Sequence, residues 1–305
     1  MGAPTTREKR VISPHRVAVY GPSKTANAPA CTAFDTGRFA RSILRWAGGK
    51  SHLLPHLVTL LPAHYSCYIE PMLGGGALFF HAAPREALLG DINEELINFY
   101  RVLRDDGNRL CTNLLRLKAS KPLYYKLRMQ SPRSQLGRAI RLAYLNRLSW
   151  NGLYRVNRGG AFNVPIGDRL PKRLWRSTDL FRAREALQVA QLIEGDFHLV
   201  LRRARKDDFV FLDPPYPRGA REALGFNRYS VERFGLEDHR RLAAWIERLS
   251  GIGVNVMLTI GAESDLREIY PRSLRTYTVM SRSLIAGNGA GRREVCELVL
   301  TNYET

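Results

Sequence analysis

Short apolar runs bounded by charge or turn-forming residues alternate with amphipathic stretches along most of this chain. Phe209-Val210-Phe211-Leu212, between Asp208 and Asp213, reads as a buried strand that Pro214 and Pro215 stop at a defined residue. Tyr68-Ile69-Glu70 and Ala87-Leu88-Leu89-Gly90-Asp91 predict two more strands, each ending in an acid. Between them lie the glycines Gly74, Gly75 and Gly76 and an apolar helix start. Leu53, Leu54, Leu57, Leu60 and Leu61 recur at helical spacing, and residues 92–104 predict a helix. Leu236–Leu249 predicts an amphipathic helix with Leu242, Ala243, Trp245, Ile246 and Leu249 on its apolar face, ended by Gly251. Val254–Ile260, Leu274–Val279 and Val295–Leu300 predict strands, Ser264–Tyr270 a short helix, and Gly287–Gly291 a loop. Strands and helices in alternation, closing on a hairpin, predict a doubly wound α/β sheet with an antiparallel edge.

The segment 105–185 interrupts this alternation. It predicts helical pieces broken at Gly107, Pro122, Pro132 and Gly137. From Tyr144 to Gly167, Asn-Gly and Gly-Gly punctuate alternating apolar and polar residues, the pattern of a hairpin or looped ribbon. Residues 1–40 show little periodicity and read as a basic, flexible extension. The expected organisation is therefore 1–40 as extension, 41–104 with 186–305 as one domain, and 105–185 as an insertion.

Charge sharpens that division. The 305 residues carry a net charge of +19. Residues 101–185 hold 20 Lys or Arg against 5 Asp or Glu, residues 1–40 hold 6 against 2, and the remainder is balanced at 21 against 21. A positive balance confined to one internal segment points to a polyanion, most simply nucleic acid; a merely soluble basic surface is the plainer alternative. No apolar run reaches membrane-spanning length, and Cys31, Cys67, Cys111 and Cys296 never pair at metal-ligand spacing. These features lead us to expect a cytoplasmic protein without structural metal or disulfide.

Candidate chemistry gathers at the strand ends. In open α/β sheets ligands bind at the carboxyl edge, where Asp213 is expected to sit. Because Pro214 and Pro215 lack N–H groups, the Asp213 carboxylate and the Pro214 carbonyl stay available as rigid acceptors, with Tyr216 beside them. That set suits a flat, amino-bearing heterocycle, although the same four residues also describe a strand ending in a turn. Glu70, a glycine turn, a helix and Asp91 about 20 residues on resemble a nucleoside site in which a carboxylate bridges ribose hydroxyls. Packing glycines and a helix-capping Asp91 are the alternative. Gly48-Gly49-Lys50 lets backbone approach an anionic group or is a tight turn, and Asp196-Phe197 brackets an adenine or is likewise a turn. In the ribbon, Arg and Asn interleave with aromatic residues, a composition that suits reading bases and filling the space of a displaced one; a merely structural hairpin, which would need fewer Asn and Arg residues, is the alternative.

Taken in order, these motifs resemble the Dam-type (D12 class) DNA adenine-N6 methyltransferases. The resemblance rests on Trp46-Ala47-Gly48-Gly49-Lys50, Glu70-Pro71 with its glycines, Asp91-Ile92-Asn93, Asn146-Arg147 through Phe162-Asn163-Val164-Pro165, Asp213–Tyr216 and Leu300–Tyr303, and covers residues 41–304. It implies a Rossmann-like methyltransferase sheet with an antiparallel edge hairpin, S-adenosylmethionine as methyl donor, and a mainly helical DNA-recognition insertion carrying a hairpin. The implied cofactor residues are Trp46, Ala47, Gly48, Lys50, Glu70, Met72, Gly74, Asp91, Asp196, Phe197 and Asp213, with Asp91 on the ribose and Asp196 and Phe197 on the adenine. The implied DNA residues are Arg45, Trp150, Asn151, Leu153, Arg155, Asn157 and Pro165; Arg155 reads a guanine, Trp150 acts as wedge and Arg45 touches a flanking base. Asp213, Pro214 and Tyr216 are the implied catalytic residues. Met72, Trp150, Arg45 and Thr259-Ile260-Gly261 differ from residues common in the family at those positions.

The expected reaction is methylation of the N6 amine of a flipped adenine within a specific sequence of double-stranded DNA. The expected protein is a monomer, without a membrane, and a cognate restriction endonuclease is the partner to look for. An RNA adenine-N6 methyltransferase, a DNA cytosine-N4 methyltransferase and a non-catalytic DNA-binding module are the alternatives; the last would not need an intact cofactor pocket.

Overall fold

The computed structural model describes residues 10–11, 40–157, 159–215, 234–262, 265–282 and 294–305. Among the described residues eight strands form a single sheet. They are β1 (Arg10–Val11), β2 (Tyr68–Glu70), β3 (Ala87–Asp91), β4 (Ala190–Glu194), β5 (Phe209–Leu212), β6 (Asn255–Gly261), β7 (Arg275–Arg282) and β8 (Glu294–Thr301), in the order β1-β7-β8-β6-β5-β2-β3-β4. β4, β3, β2, β5 and β6 are mutually parallel, and β8 runs antiparallel between β6 and β7. The expected α/β sheet with an antiparallel edge hairpin is thus the architecture seen. The order reverses at β2, which lies between β3 and β5. A crevice at the carboxyl ends of strands opens at such a switch point.

Side-chain alternation divides the buried residues between two faces. Tyr68, Leu89, Phe209, Phe211, Met257 and Val299 enter one cluster, while Ile69, Leu88, Val210, Leu212, Leu258 and Leu300 enter the other. The first cluster also contains residues of α1 (Leu54–Leu57), α2 (Ala77–Ala82), α3 (Glu94–Asp105), α4 (Gly107–Arg116), α5 (Lys121–Met129), α6 (Gln135–Leu148) and α7 (Ser177–Leu187). The second is closed by α8 (His198–Leu201) and α9 (Leu236–Gly251). Helices 4 to 7 therefore share one continuous apolar core with the sheet.

The insertion starts its helices where the sequence suggested breaks. Gly107 is the first residue of α4, Pro122 lies in the first turn of α5, and Gly137 donates its N–H to the Ser134 cap of α6 at 3.1 Å. A proline in a first turn removes an N–H that has no helical acceptor, so it marks a start rather than a stop. Tyr144 to Leu148 complete α6 instead of opening a ribbon, because Tyr144, Leu145 and Leu148 continue its buried stripe. Among the described residues the ribbon that follows has two isolated bridges, Ser149 with Ile166 and Val156 with Phe162.

Three other elements differ from expectation. Ala190–Glu194 is a strand that the sequence did not announce: it is the outermost parallel strand, only Ala190 is buried, and no continuous apolar run forms. The predicted helix at Ser264–Tyr270 is a single 3₁₀ turn at Asp265–Glu268, and Gly251 lies inside α9. Within the extension, Arg10 and Val11 pair with Tyr277 and Thr278. Gly287–Gly291 lies outside the described residues. Among the described residues no helix is long and apolar enough to cross a membrane.

Gly90 ties β3 to the helix beneath it. A Cβ built there would lie 2.4 Å from Val200 Cγ2 and 3.3 Å from the Ile193 carbonyl. Overpacking of this kind costs about 1–3 kcal/mol. Gly90→Ala should lower the stability measured by chemical denaturation by that amount, and adding Val200→Ala should return part of it.

Candidate active site

The alternation that sorts the core also aims the polar strand ends. Glu70 continues the parity of Tyr68, Asp91 that of Leu89, Asp213 that of Phe211, and Thr259 that of Met257, so all four project from the same face of the sheet. This face carries the insertion helices. The register sets Leu212 opposite Leu258, which brings Asp213 beside Thr259 one residue further on.

Asp213 is held by two donors on one oxygen. Lys50 Nζ lies 2.5 Å from Oδ1, and Thr259 Oγ1 donates to that oxygen at 2.8 Å. Lys50 is 3% exposed and also donates to the Gly48 carbonyl at 3.1 Å. Among the described residues no donor reaches Oδ2 or the carbonyl of Pro214. Buried His239 on α9 bonds the backbone of Pro215 and, through Nδ1, the Tyr270 hydroxyl at 2.6 Å, so the strand end is pinned from the other face as well. Burial lowers the pKa of His239. Tyr216 lies outside the described residues.

The turn after β2 is built for close approach. Gly74 and Gly76 have φ of +48° and +64°, values that an L side chain rarely adopts. A Cβ on Gly74 would fall 2.8 Å from the indole of Trp46. Asp91 accepts the N–H groups of Gly74 and Asn93, each at 2.9 Å, and Tyr100 donates to the Gly74 carbonyl at 3.0 Å. Burial pushes the Asp91 carboxyl up against these N–H bonds. Glu70 is almost wholly buried, accepts the Tyr68 hydroxyl at 2.8 Å, and is held well above the usual carboxylate range by burial, with Asp213 and Asp91 adding to the shift. Ile92, which the sequence reading passed over, is 58% exposed immediately after Asp91. Two acids on adjacent strand ends, a glycine turn without side chains and an exposed apolar residue form a chemistry that fits a nucleoside bearing an amino-acid tail.

Asp196 and Phe197 sit at the end of β4. Asp196 accepts from His198 N–H at 3.0 Å, from the His198 ring at 2.8 Å and from Arg241 at 3.0 Å. Burial alone would raise its carboxyl, but these partners bring it below its usual value. Phe197 is buried, with the Arg241 guanidinium 4.8 Å over its ring. Met72 is half-buried against the core on the α9 side, and Ala47 and Gly48 lie on the surface turn before Lys50.

The ribbon meets this crevice through Arg45 and Trp46. Trp46 stacks on Tyr154 with centroids 5.5 Å apart. Asn146, fully buried, accepts from Arg45 N–H at 2.8 Å and donates to the carbonyls of Arg45 at 2.5 Å and Gly152 at 3.1 Å. Trp150 is 42% exposed, and its backbone N–H donates to the Pro165 carbonyl at 3.0 Å. Asn151, with φ of +52°, Asn157 and Pro165 are exposed, and Leu153 is half-buried. Arg155 donates from Nε to Asn163 at 2.7 Å. Nothing local in the sequence marks Asn146, Thr259 and His239 as organisers, because Arg45, Asp213 and Tyr270, which they bond, lie far away in the chain.

A family model described as D12 class N6 adenine-specific DNA methyltransferase matches residues 46–283. The Type II methyltransferase M1.LlaDCHI of Lactococcus lactis subsp. cremoris is 35% identical over 277 residues, covering 86% of this chain and 95% of that protein. A DNA adenine methylase of Vibrio cholerae is 32% identical over 266 residues, covering 85% and 95%. Among solved structures, the rRNA methyltransferase aviRa of Streptomyces viridochromogenes aligns over 90% of this chain and 97% of its own at 12% identity, with a TM-score of 0.36, too slight a likeness to carry an argument.

Asn146 closes three backbone groups with one amide. Leaving buried backbone groups unsatisfied costs about 1–3 kcal/mol. Asn146→Ala should destabilise the protein by at least that much in a denaturant melt, with faster amide exchange at Arg45 than at β6 as the local signature.

Proposed function

The chain belongs to the D12 class of N6 adenine-specific DNA methyltransferases, and from that membership we propose how its residues divide the work. The enzyme transfers a methyl group from S-adenosylmethionine to the N6 amine of adenine in DNA. Oδ2 of Asp213 and the carbonyl of Pro214, which accept no donor among the described residues, carry the rest of the reading, since an exocyclic amine has two N–H groups to donate.

The N6 lone pair is delocalised into the purine ring, which makes the amine a poor nucleophile. Asp213 and Pro214 accept its two N–H groups, favour a more tetrahedral nitrogen and aim the lone pair along one direction. Lys50 and Thr259 fix the carboxylate so that Oδ2 faces the amine. An amine buried in a duplex stack is out of reach, so the target base is extruded, and Tyr216 stacks on it. The cofactor, when bound, would supply a methyl on a sulfonium; as the N–CH3 bond forms the S–CH3 bond breaks to a neutral thioether, and the displaced N6 proton would pass to the Asp213 carboxylate and on to solvent. Asp91 holds its ribose hydroxyls, the Glu70–Gly76 turn with Trp46, Ala47, Gly48, Lys50 and Met72 walls its tail, and Phe197 with Asp196 borders its adenine. Asp196 meets the adenine amine only as the Arg241 contact allows. The aliphatic face of Ile92 adds an apolar wall.

Residues 105–185 form the target-recognition insertion on a catalytic domain of 41–104 and 186–305. Its net charge supports backbone contact, while Arg155, Trp150, Asn151, Leu153, Asn157 and Pro165, with Arg45, address the bases. A monomer acting on DNA in the cytoplasm is the working form. The type II name of one relative favours a partnership with a restriction endonuclease.

Asp213→Ala is expected to abolish methyl transfer to duplex DNA while leaving DNA affinity within a few-fold of wild type; activity retained at more than a tenth would sink the assignment. Arg155→Ala is expected to relax the choice among duplexes differing at one base pair, by about 1–3 kcal/mol of discrimination. Competition kinetics on such duplexes reads this directly, and an unchanged ranking counts against the guanine contact.

A further inference from the structure

Glu297 is the buried acid that none of the preceding chemistry uses. It lies on β8, where the register sets it opposite Gly261 on β6 and opposite Val279 on β7, and it is 1% exposed. Two residues on, Val299 occupies the same face and is apolar, as a buried strand position ordinarily is. A carboxylate in such a place is costly unless paired. Lys50, with Nζ 3.7 Å from Oε2, and His52, with Nε2 3.2 Å from Oε1, are among its partners.

Lys50 thus sits between two carboxylates, 2.5 Å from Asp213 and 3.7 Å from Glu297. With a neutral residue at 297 the ammonium would be drawn wholly to Asp213, where it can spread over both carboxylate oxygens. It would then cover Oδ2, the acceptor left for the adenine amine. We propose that Glu297 is a positioning residue for methyl transfer: its charge holds the Lys50 ammonium to the outer side of Asp213, and His52 holds Glu297 in turn. The inference rests on the reading of Asp213 as acceptor of the amine. Glu297 itself touches no reacting atom.

Charge and shape are separable at this position. Glu297→Gln keeps the size and the bond to His52 but removes the charge, whereas Glu297→Asp keeps the charge on a shorter stem. The expected result in steady-state methylation of duplex DNA is a kcat at least tenfold lower for Glu297→Gln, with KM for S-adenosylmethionine and for DNA within about twofold of wild type. Glu297→Asp should retain more kcat than Glu297→Gln, an order that packing alone would reverse. His52→Gln should lower kcat by a smaller factor with the same KM values, and it carries the test if Glu297→Gln does not fold. Wild-type kcat in Glu297→Gln, a kcat for Glu297→Asp below that of Glu297→Gln, or an effect confined to KM overturns the proposal, as does wild-type kcat in His52→Gln. Should Asp213→Ala be inactive while Glu297→Gln is unaffected, only this inference falls; should Asp213→Ala remain active, the reading beneath it falls.

Discussion

The ion pair between Lys50 and Asp213 is the contact on which the site depends. It joins a residue on the turn before the first helix to one at the end of β5; the Lys50 side chain is 3% exposed and that of Asp213 18%. A buried pair of this kind is weak as a source of stability but strict about geometry, because moving either partner leaves a charge without compensation. Here Lys50 and Thr259 both hold Oδ1, and among the described residues no donor reaches Oδ2 or the Pro214 carbonyl.

That pair forms because of two simpler constraints. The period of two along each strand puts Glu70, Asp91, Asp213 and Thr259 on one face, and the switch point at β2 brings their strands side by side. Glycines complete the design where a side chain would intrude, at Gly74 against Trp46 and at Gly90 against Val200. The insertion is not hung on this scaffold by a linker. Its helices extend the same apolar core, and Asn146 and the Trp46–Tyr154 stack couple its ribbon to the loop that carries Lys50. The ribbon and the crevice at the strand ends therefore share a structural element.

Much of this was legible in the chain itself. Strands buried on both faces announce themselves as apolar runs, so Phe209–Leu212, Ala87–Leu89 and Val256–Ile260 stand out, and the acid that ends a run marks a strand end. Helix α9 declares its apolar face by spacing. What stayed hidden depended on neighbours rather than on local pattern. β4 lies at an edge, half in water, and lacks the signature. The bonds from Thr259 and Lys50 to Asp213, from Asn146 to Arg45, and from His52 to Glu297 span between 46 and 245 residues, and only the strand order and register bring them together. Ile92 reads as one more apolar residue until its exposure is known.

The atom that receives the methyl group separates adenine-N6 methylation from its alternatives. Single-molecule sequencing of DNA from cells expressing this chain, beside cells carrying an empty vector, measures it without purified substrate. N6-methyladenine at one recurring short sequence, absent from the control, is the predicted result. N4-methylcytosine at the modified sites, or unmodified DNA in cells that hold the folded protein, would contradict it.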